Sequence, residues 1–206
     1  MDTIFDLIEK IKLRPPMYIG SNKLSDMHTF LLGYRSAVIE NQYERLFTDN
    51  GISFQYFNFF VGRKYNCSSF MGYANIILKQ TENDEEKALR LFFNVIKEFE
   101  ELEIKSIWEL DLSEENRHYN RTEPSVPKIL HDGDEKPLYS DSENIYKIKL
   151  SDDTIFLAVK DKDTKYLHID CDVVVFEKHI DEYLKKCFGE IKWKDFSGEI
   201  SEIKLM

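Results

Sequence analysis

His168, Asp170 and Asp172 fall on alternate positions of a stretch in which Leu167, Ile169, Cys171 and Val173 are apolar. On a β-strand that alternation sends the imidazole and both carboxylates to one face, within reach of a common divalent cation. A small metal-dependent hydrolase could be built on such a face. The apolar set is equally regular, and open antiparallel sheets commonly wet one side of their strands. The trio therefore reads as the solvated side of a half-buried strand. His168, Asp170 and Asp172 remain the candidate metal ligands of the alternative, enzymatic reading, and no cofactor is expected.

Other chemistry cannot be assembled from spacing. His131-Asp132-Gly133-Asp134-Glu135 offers oxygen ligands but lacks the spaced acidic positions and terminal glutamate of a calcium loop. The histidines at 28, 118, 131, 168 and 179 are scattered, and no nucleophile sits in a recognisable elbow. Phosphate-cradling glycine patterns are missing from the sequence. Cys67, Cys171 and Cys187 are odd in number and widely spaced, as expected of reduced thiols rather than a disulfide framework. No catalytic residue is expected.

Charge points toward a protein partner. The formal net charge of -10 and pI near 5.1 argue against nucleic acid or an anionic membrane surface, whose phosphates are bound by clustered Lys and Arg. An acidic chain instead steers basic proteins toward itself. Asp152, Asp153, Asp161, Asp163, Asp170 and Asp172 cluster on two short turns and one strand face, and they are the expected partner-binding residues. The N-terminus lacks the basic region and apolar run of a secretory signal, and no stretch is long and apolar enough for a membrane span, so a cytoplasmic protein is expected.

The elements that must carry these groups change character along the chain. Ile4, Leu7, Ile8 and Ile11 mark a helix over residues 2–13, and Arg14-Pro15-Pro16 stops it. Met17, Tyr18 and Ile19 are expected in an extended segment, with Met17 and Ile19 plugging the core, and Gly20 is expected to reverse the chain. A long helix is expected to about Leu46, with Gly33 and Tyr34 inside it and Gly33 marking a close approach. Asn50-Gly51 is a turn; short helices follow from Phe54 and from Phe70 to Gln80. Asn83 and Glu86 outline a capping box for a helix reaching about Glu103.

Residues 106–142 lose periodicity and read as a linker or long loop. Beyond them the period becomes two, giving three antiparallel strands over residues 146–173, a helix over 176–188, and a closing hairpin that turns at Ser197-Gly198. The expected fold class is α+β. A helical bundle (1–105) is followed by the linker and by a small, mainly antiparallel sheet with one helix (143–206).

Arg14-Pro15-Pro16-Met17-Tyr18-Ile19-Gly20 resembles the Arg-Pro-Gly-Met-Tyr-Ile-Gly segment that opens the gyrase B and type II topoisomerase ATPase domain. The downstream residues do not follow that family: Glu40 and Asn41 are adjacent rather than spaced, and no Asp-x-Gly-x-Gly loop exists. A chain without the ligands for Mg-ATP is not read as an ATPase. The segment is also similar to the opening of a group of small bacterial proteins. They share an Arg-Pro-x-Met-Tyr-x-Gly start, a Phe-Leu-x-Gly-Tyr helix (here Phe30 to Tyr34), an aromatic segment (Phe54 to Tyr73) and an acidic turn before a Phe-Phe helix (Asp84 to Phe99). That resemblance covers the first half of the chain and implies a toxin-immunity protein, which neutralises its toxin by direct occlusion. A small-molecule-binding regulatory module is the remaining alternative.

Overall fold

The structure, a computed structural model, describes residues 3–39, 43–68, 71–111, 143–161, 166–169, 181, 184–185, 190–198 and 204–205. The chain divides into two compact units, Met1–Leu102 and Glu103–Met206. The described elements are helical in the first and mainly strands in the second, an α+β arrangement.

Helix α1 (Ile4–Leu13) starts where Thr3 and Asp6 exchange hydrogen bonds. The Thr3 hydroxyl accepts from the Asp6 N–H at 3.2 Å, and the Asp6 carboxylate accepts from the Thr3 N–H at 2.7 Å. Ile4, Phe5, Ile8 and Ile11 are buried along its inner stripe. Arg14, at φ -150°, breaks the helix.

The chain then coils again rather than extending, because Pro15 and Pro16 open helix α2 (Pro15–Ile19). Proline's fixed φ suits a first helical turn, and its missing N–H is no loss there. The expectation that Met17 and Ile19 plug the core fails: α2 buries no residue, Met17 is 73% exposed and Ile19 only half-buried, and Leu13 just before the break is 81% exposed. Gly20 closes α2 in the left-handed region, at φ 78°, and its N–H donates to the Pro16 carbonyl at 3.1 Å.

Helix α3 is described over Leu24–Ile39; Tyr43–Leu46, expected as its last turn, is 3-10 instead, and 40–42 lie outside the described residues. Gly33 lies in open space, with no atom within 4 Å of where a Cβ would stand, so it marks no close approach. Two glycines of the same region thus predict opposite outcomes. Gly33→Ala should stabilise the first unit by about 0.5–1 kcal/mol, since a helical glycine carries excess backbone entropy. Gly20→Ala should destabilise it by about 1 kcal/mol, since alanine resists positive φ. Urea midpoints of the two variants would move in opposite directions, and a shift of both in one direction would contradict these backbone assignments.

A tight turn at Asn50-Gly51 folds Phe47 back against Ser53, with the Asn50 amide donating to the Leu102 carbonyl at 2.9 Å. A 3-10 turn (Phe54–Tyr56) then leads into helix α4 (Phe57–Lys64), and helix α5 (Tyr73–Gln80) follows. Helix α6 (Glu85–Glu100) is capped by Asp84, whose carboxylate accepts from the Lys87 N–H at 3.0 Å. Asn83, the expected cap, instead takes a left-handed turn at φ 62°. Phe92, Val95, Ile96 and Phe99 line the buried face of α6. The core of the unit is a ring cluster around Phe57, which meets Phe54, Tyr73, Phe92 and Phe99 at centroid distances of 5.1–5.7 Å.

In the second unit, strands β1 (Ile104–Asp111), β2 (Glu143–Leu150), β3 (Ile155–Asp161), β4 (Tyr166–Ile169), β5 (Lys192–Asp195) and β6 (Lys204–Leu205) form one sheet in the order β5-β1-β2-β3-β4-β6. Its pairings are antiparallel apart from β4 with β6. Two expectations are corrected here. Strand β1 occupies residues assigned to the end of the helical domain and the start of the linker; 112–142 lie outside the described residues. The expected closing hairpin does not form either, because β5 pairs with β1 while β6 pairs with β4 across the sheet. Of the expected helix over 176–188, Asp181, Leu184 and Lys185 are described as helical, with Leu184 buried. No helix among the described residues is long and apolar enough to cross a membrane.

Candidate functional site

The expected acidic surface begins at the β2–β3 turn. Leu150 and Thr154 close it through an N–H to carbonyl bond of 2.8 Å, and the Asp152 carboxylate accepts from the Thr154 N–H at 2.9 Å. Asp153 takes φ 62° and pairs with Lys149 at 2.9 Å. Both aspartates are exposed, on a turn that their own hydrogen bonds hold in shape.

The six aspartates do not all converge. Asp161 stands opposite Glu143 at the far end of the β2–β3 ladder, whereas Asp152 and Asp153 lie beyond its Lys149–Ile155 end. Six residue steps of strand separate Ile155 from Asp161, roughly 20 Å at the usual rise. His168 is placed in β4 opposite Val159. Asp163, Asp170 and Asp172 lie outside the described residues, as do the metal-ligand pairings that would need them.

The sheet holds a polar group that alternation along β2 hides. Lys147 is only 8% exposed, and its ammonium lies 5.2 Å from the Trp108 ring centroid and 4.6 Å from that of Trp193. Asp181 completes the arrangement: its Oδ1 stands 3.5 Å from Lys147 Nζ and accepts from Trp193 Nε1–H at 3.0 Å. Two indole faces and a carboxylate thus satisfy a lysine that the sequence places on the wet side of its strand. Both tryptophans of the chain are committed to it.

In the first unit, the Arg14–Gly20 segment borders a groove of about 480 Å³ lined by Lys12, Pro15, Asn22, Leu89, Arg90 and Phe93, among others. Leu89 and Phe93 give it an apolar floor from α6, and Pro15 is the member of the segment that enters it. Arg14, Pro16, Met17 and Tyr18 are exposed. Lys12 pairs with Glu9 at 3.0 Å and Arg90 with Glu86 at 3.9 Å, so its rim charges are locally balanced.

Helix α3 presents a different combination. Tyr34 is half-buried, but the polar residues on the inner stripe are His28 and Arg35. The His28 and Tyr73 rings meet in a T-shaped pair, centroid to centroid 5.0 Å. Burial holds the His28 imidazole below its ordinary pKa, and the Arg35 charge pushes it further the same way. Burial also drives the Tyr73 hydroxyl well above the usual tyrosine range, with Arg35 opposing. Spacing could have revealed this group, because His28, Leu31, Arg35 and Val38 recur at three- and four-residue steps along one helix face.

A carboxylate of the first unit is perturbed as well. Burial raises Glu100, and Glu9, Asp49 and Asp6 add to the rise against Lys12. Comparisons with protein-family models, with curated proteins and with solved structures find no match, which leaves the chain's own side chains as the ground for assigning it a role.

Proposed function

We propose that this chain is a non-enzymatic acidic binding protein, an immunity protein that neutralises a bacterial toxin by direct occlusion. The observation that carries the proposal is where the charge lies. The first unit holds 14 acidic and 12 basic residues, a net of -2, whereas the second holds 24 and 16, a net of -8. Nearly all of the excess negative charge therefore belongs to the sheet unit, which also displays Asp152 and Asp153 on an ordered, exposed turn.

A field of one sign over one unit accelerates encounter with a basic partner and orients it before contact. Toxins that act on nucleic acid carry such basic surfaces. The Asp153–Lys149 pair does not oppose this role, since an exposed ion pair contributes only about 0–1 kcal/mol and yields readily to a stronger partner.

The test is association kinetics with the partner recovered from the producing bacterium on tagged chain. Asp152→Lys with Asp153→Lys should slow association about tenfold at low salt and flatten its salt dependence, with dissociation little changed. Unaltered association would remove this turn from the interface. Recovery of a partner with no basic surface would remove the electrostatic reading altogether.

A further inference from the structure

We propose that the first unit carries an oxyanion-binding site on the face of α3 that meets α5, with Arg35 as the counter-charge and His28 and Tyr73 beside it. The proposal is independent of the charge on the sheet unit and of any toxin.

The geometry comes first. Residues 28, 31, 35 and 38 share one face of α3, and Leu31 and Val38 are buried, so this face looks inward. Tyr73, the first residue of α5, closes on it through the His28 ring and is itself 6% exposed. His28 Nδ1 and Arg35 Nε are both shut off from solvent, and neither has a hydrogen-bond partner among the described residues.

Arg35 also makes no ion pair among the described residues. Burial is the main influence on both His28, which it lowers, and Tyr73, which it raises; Arg35 is the charge that acts on each, and no carboxylate contributes to either shift. The guanidinium is therefore the dominant charge on two neighbouring groups. Lys147 has Asp181 and Lys64 has Glu98; Arg45 Nε, like Arg35 Nε, is shut off from solvent with no hydrogen-bond partner, but no imidazole or phenol is found beside it among the described residues.

A solvent-shielded guanidinium nitrogen and a solvent-shielded imidazole nitrogen, both unpartnered, are costly unless something bonds them. A carboxylate or phosphate oxygen is the chemistry that fits. The planar guanidinium offers parallel N–H donors to two such oxygens, a neutral His28 in its Nδ1–H tautomer offers another, and the Tyr73 hydroxyl can donate alongside. A cation is excluded by the charge on Arg35, and an apolar ligand would leave both nitrogens unbonded.

The experiment is an NMR and calorimetric titration of the whole chain at low ionic strength with sodium phosphate and, separately, sodium acetate, against sodium chloride. Saturable binding is expected, with His28 ring resonances moving as the anion is added. Arg35→Gln should weaken binding at least tenfold. Arg35→Lys, which keeps the charge and loses the fork, should fall between. Saturation by phosphate alone identifies a phosphoryl ligand, and saturation by both anions identifies the carboxylate class. His28 resonances unmoved by both anions, or binding by a folded Arg35→Gln equal to that of the wild type, would overturn the site.

Discussion

Replacing Phe57 with alanine is expected to destabilise the first unit by about 3–5 kcal/mol, the range for removing a large buried ring from a packed core. The Phe57 side chain is fully buried, and its ring meets Phe54 in a stacked pair and Tyr73, Phe92 and Phe99 edge-on. Those four partners come from the turn before α4, from α5 and from α6. Deleting the ring therefore opens a cavity that no single helix can close by shifting. Such a loss is a large part of the roughly 5–15 kcal/mol by which domains are stable. Phe59 is the control: it is half-buried and stacks on Tyr56 at 5.6 Å, so Phe59→Ala should cost less than half as much. Urea unfolding followed by far-UV circular dichroism would measure both. A Phe57→Ala midpoint within about 1 kcal/mol of the wild type would show that the ring cluster is not the core of this unit.

Lys147→Ala should destabilise the second unit by about 2 kcal/mol, through the lost packing of the lysine stem and the lost attraction to two indole faces. Lys147→Met isolates the charge. It retains most of the stem between Trp108 and Trp193, and it removes a cation whose burial has its own desolvation cost, so the expected loss is below about 1 kcal/mol. Calorimetric melting of the two variants tests the division. Equal losses would mean that the charge and its Asp181 partner hold the arrangement, with the stem contributing little.

The parts of the fold legible in the sequence are those that local periodicity encodes. The inner stripes of α1 and α6 and the alternation in β2 and β3 are written in the spacing of their apolar residues. Strand β1 was not legible because its buried residues, Ile104, Ile107 and Leu110, fall three apart. An irregularity between Ile104 and Ser106 in the pairing with β2 interrupts the period of two. The partners of β5 and β6 were also beyond local reading, since neither strand pairs with its neighbour in sequence.

The candidate site was less legible than the fold. The aspartates at 152 and 153 stand exposed as their turn residues imply, but the sequence could not state that Asp161 lies at the other end of the same ladder. Arg35 was hidden by its surroundings, because a single cation on an apolar stripe disturbs the helical pattern too little to stand out. Lys147, between the apolar Tyr146 and Ile148, falls on the solvent side by alternation, whereas the long-range approach of Trp193 and Asp181 encloses it. The Arg14–Gly20 segment is conspicuous in residue type but not in shape, because two prolines begin a helical turn as readily as they end one.

The enclosure of Lys147 also decides what light reports from this protein. Both tryptophans sit within a few ångströms of one ammonium group, and the first unit contains none, so intrinsic indole emission originates wholly in the sheet unit. The described helices of the first unit contribute peptide ellipticity and none of that glow. Loss of each can therefore be timed separately in the intact, unlabelled chain, and a partner settling on the sheet unit can be watched as it arrives.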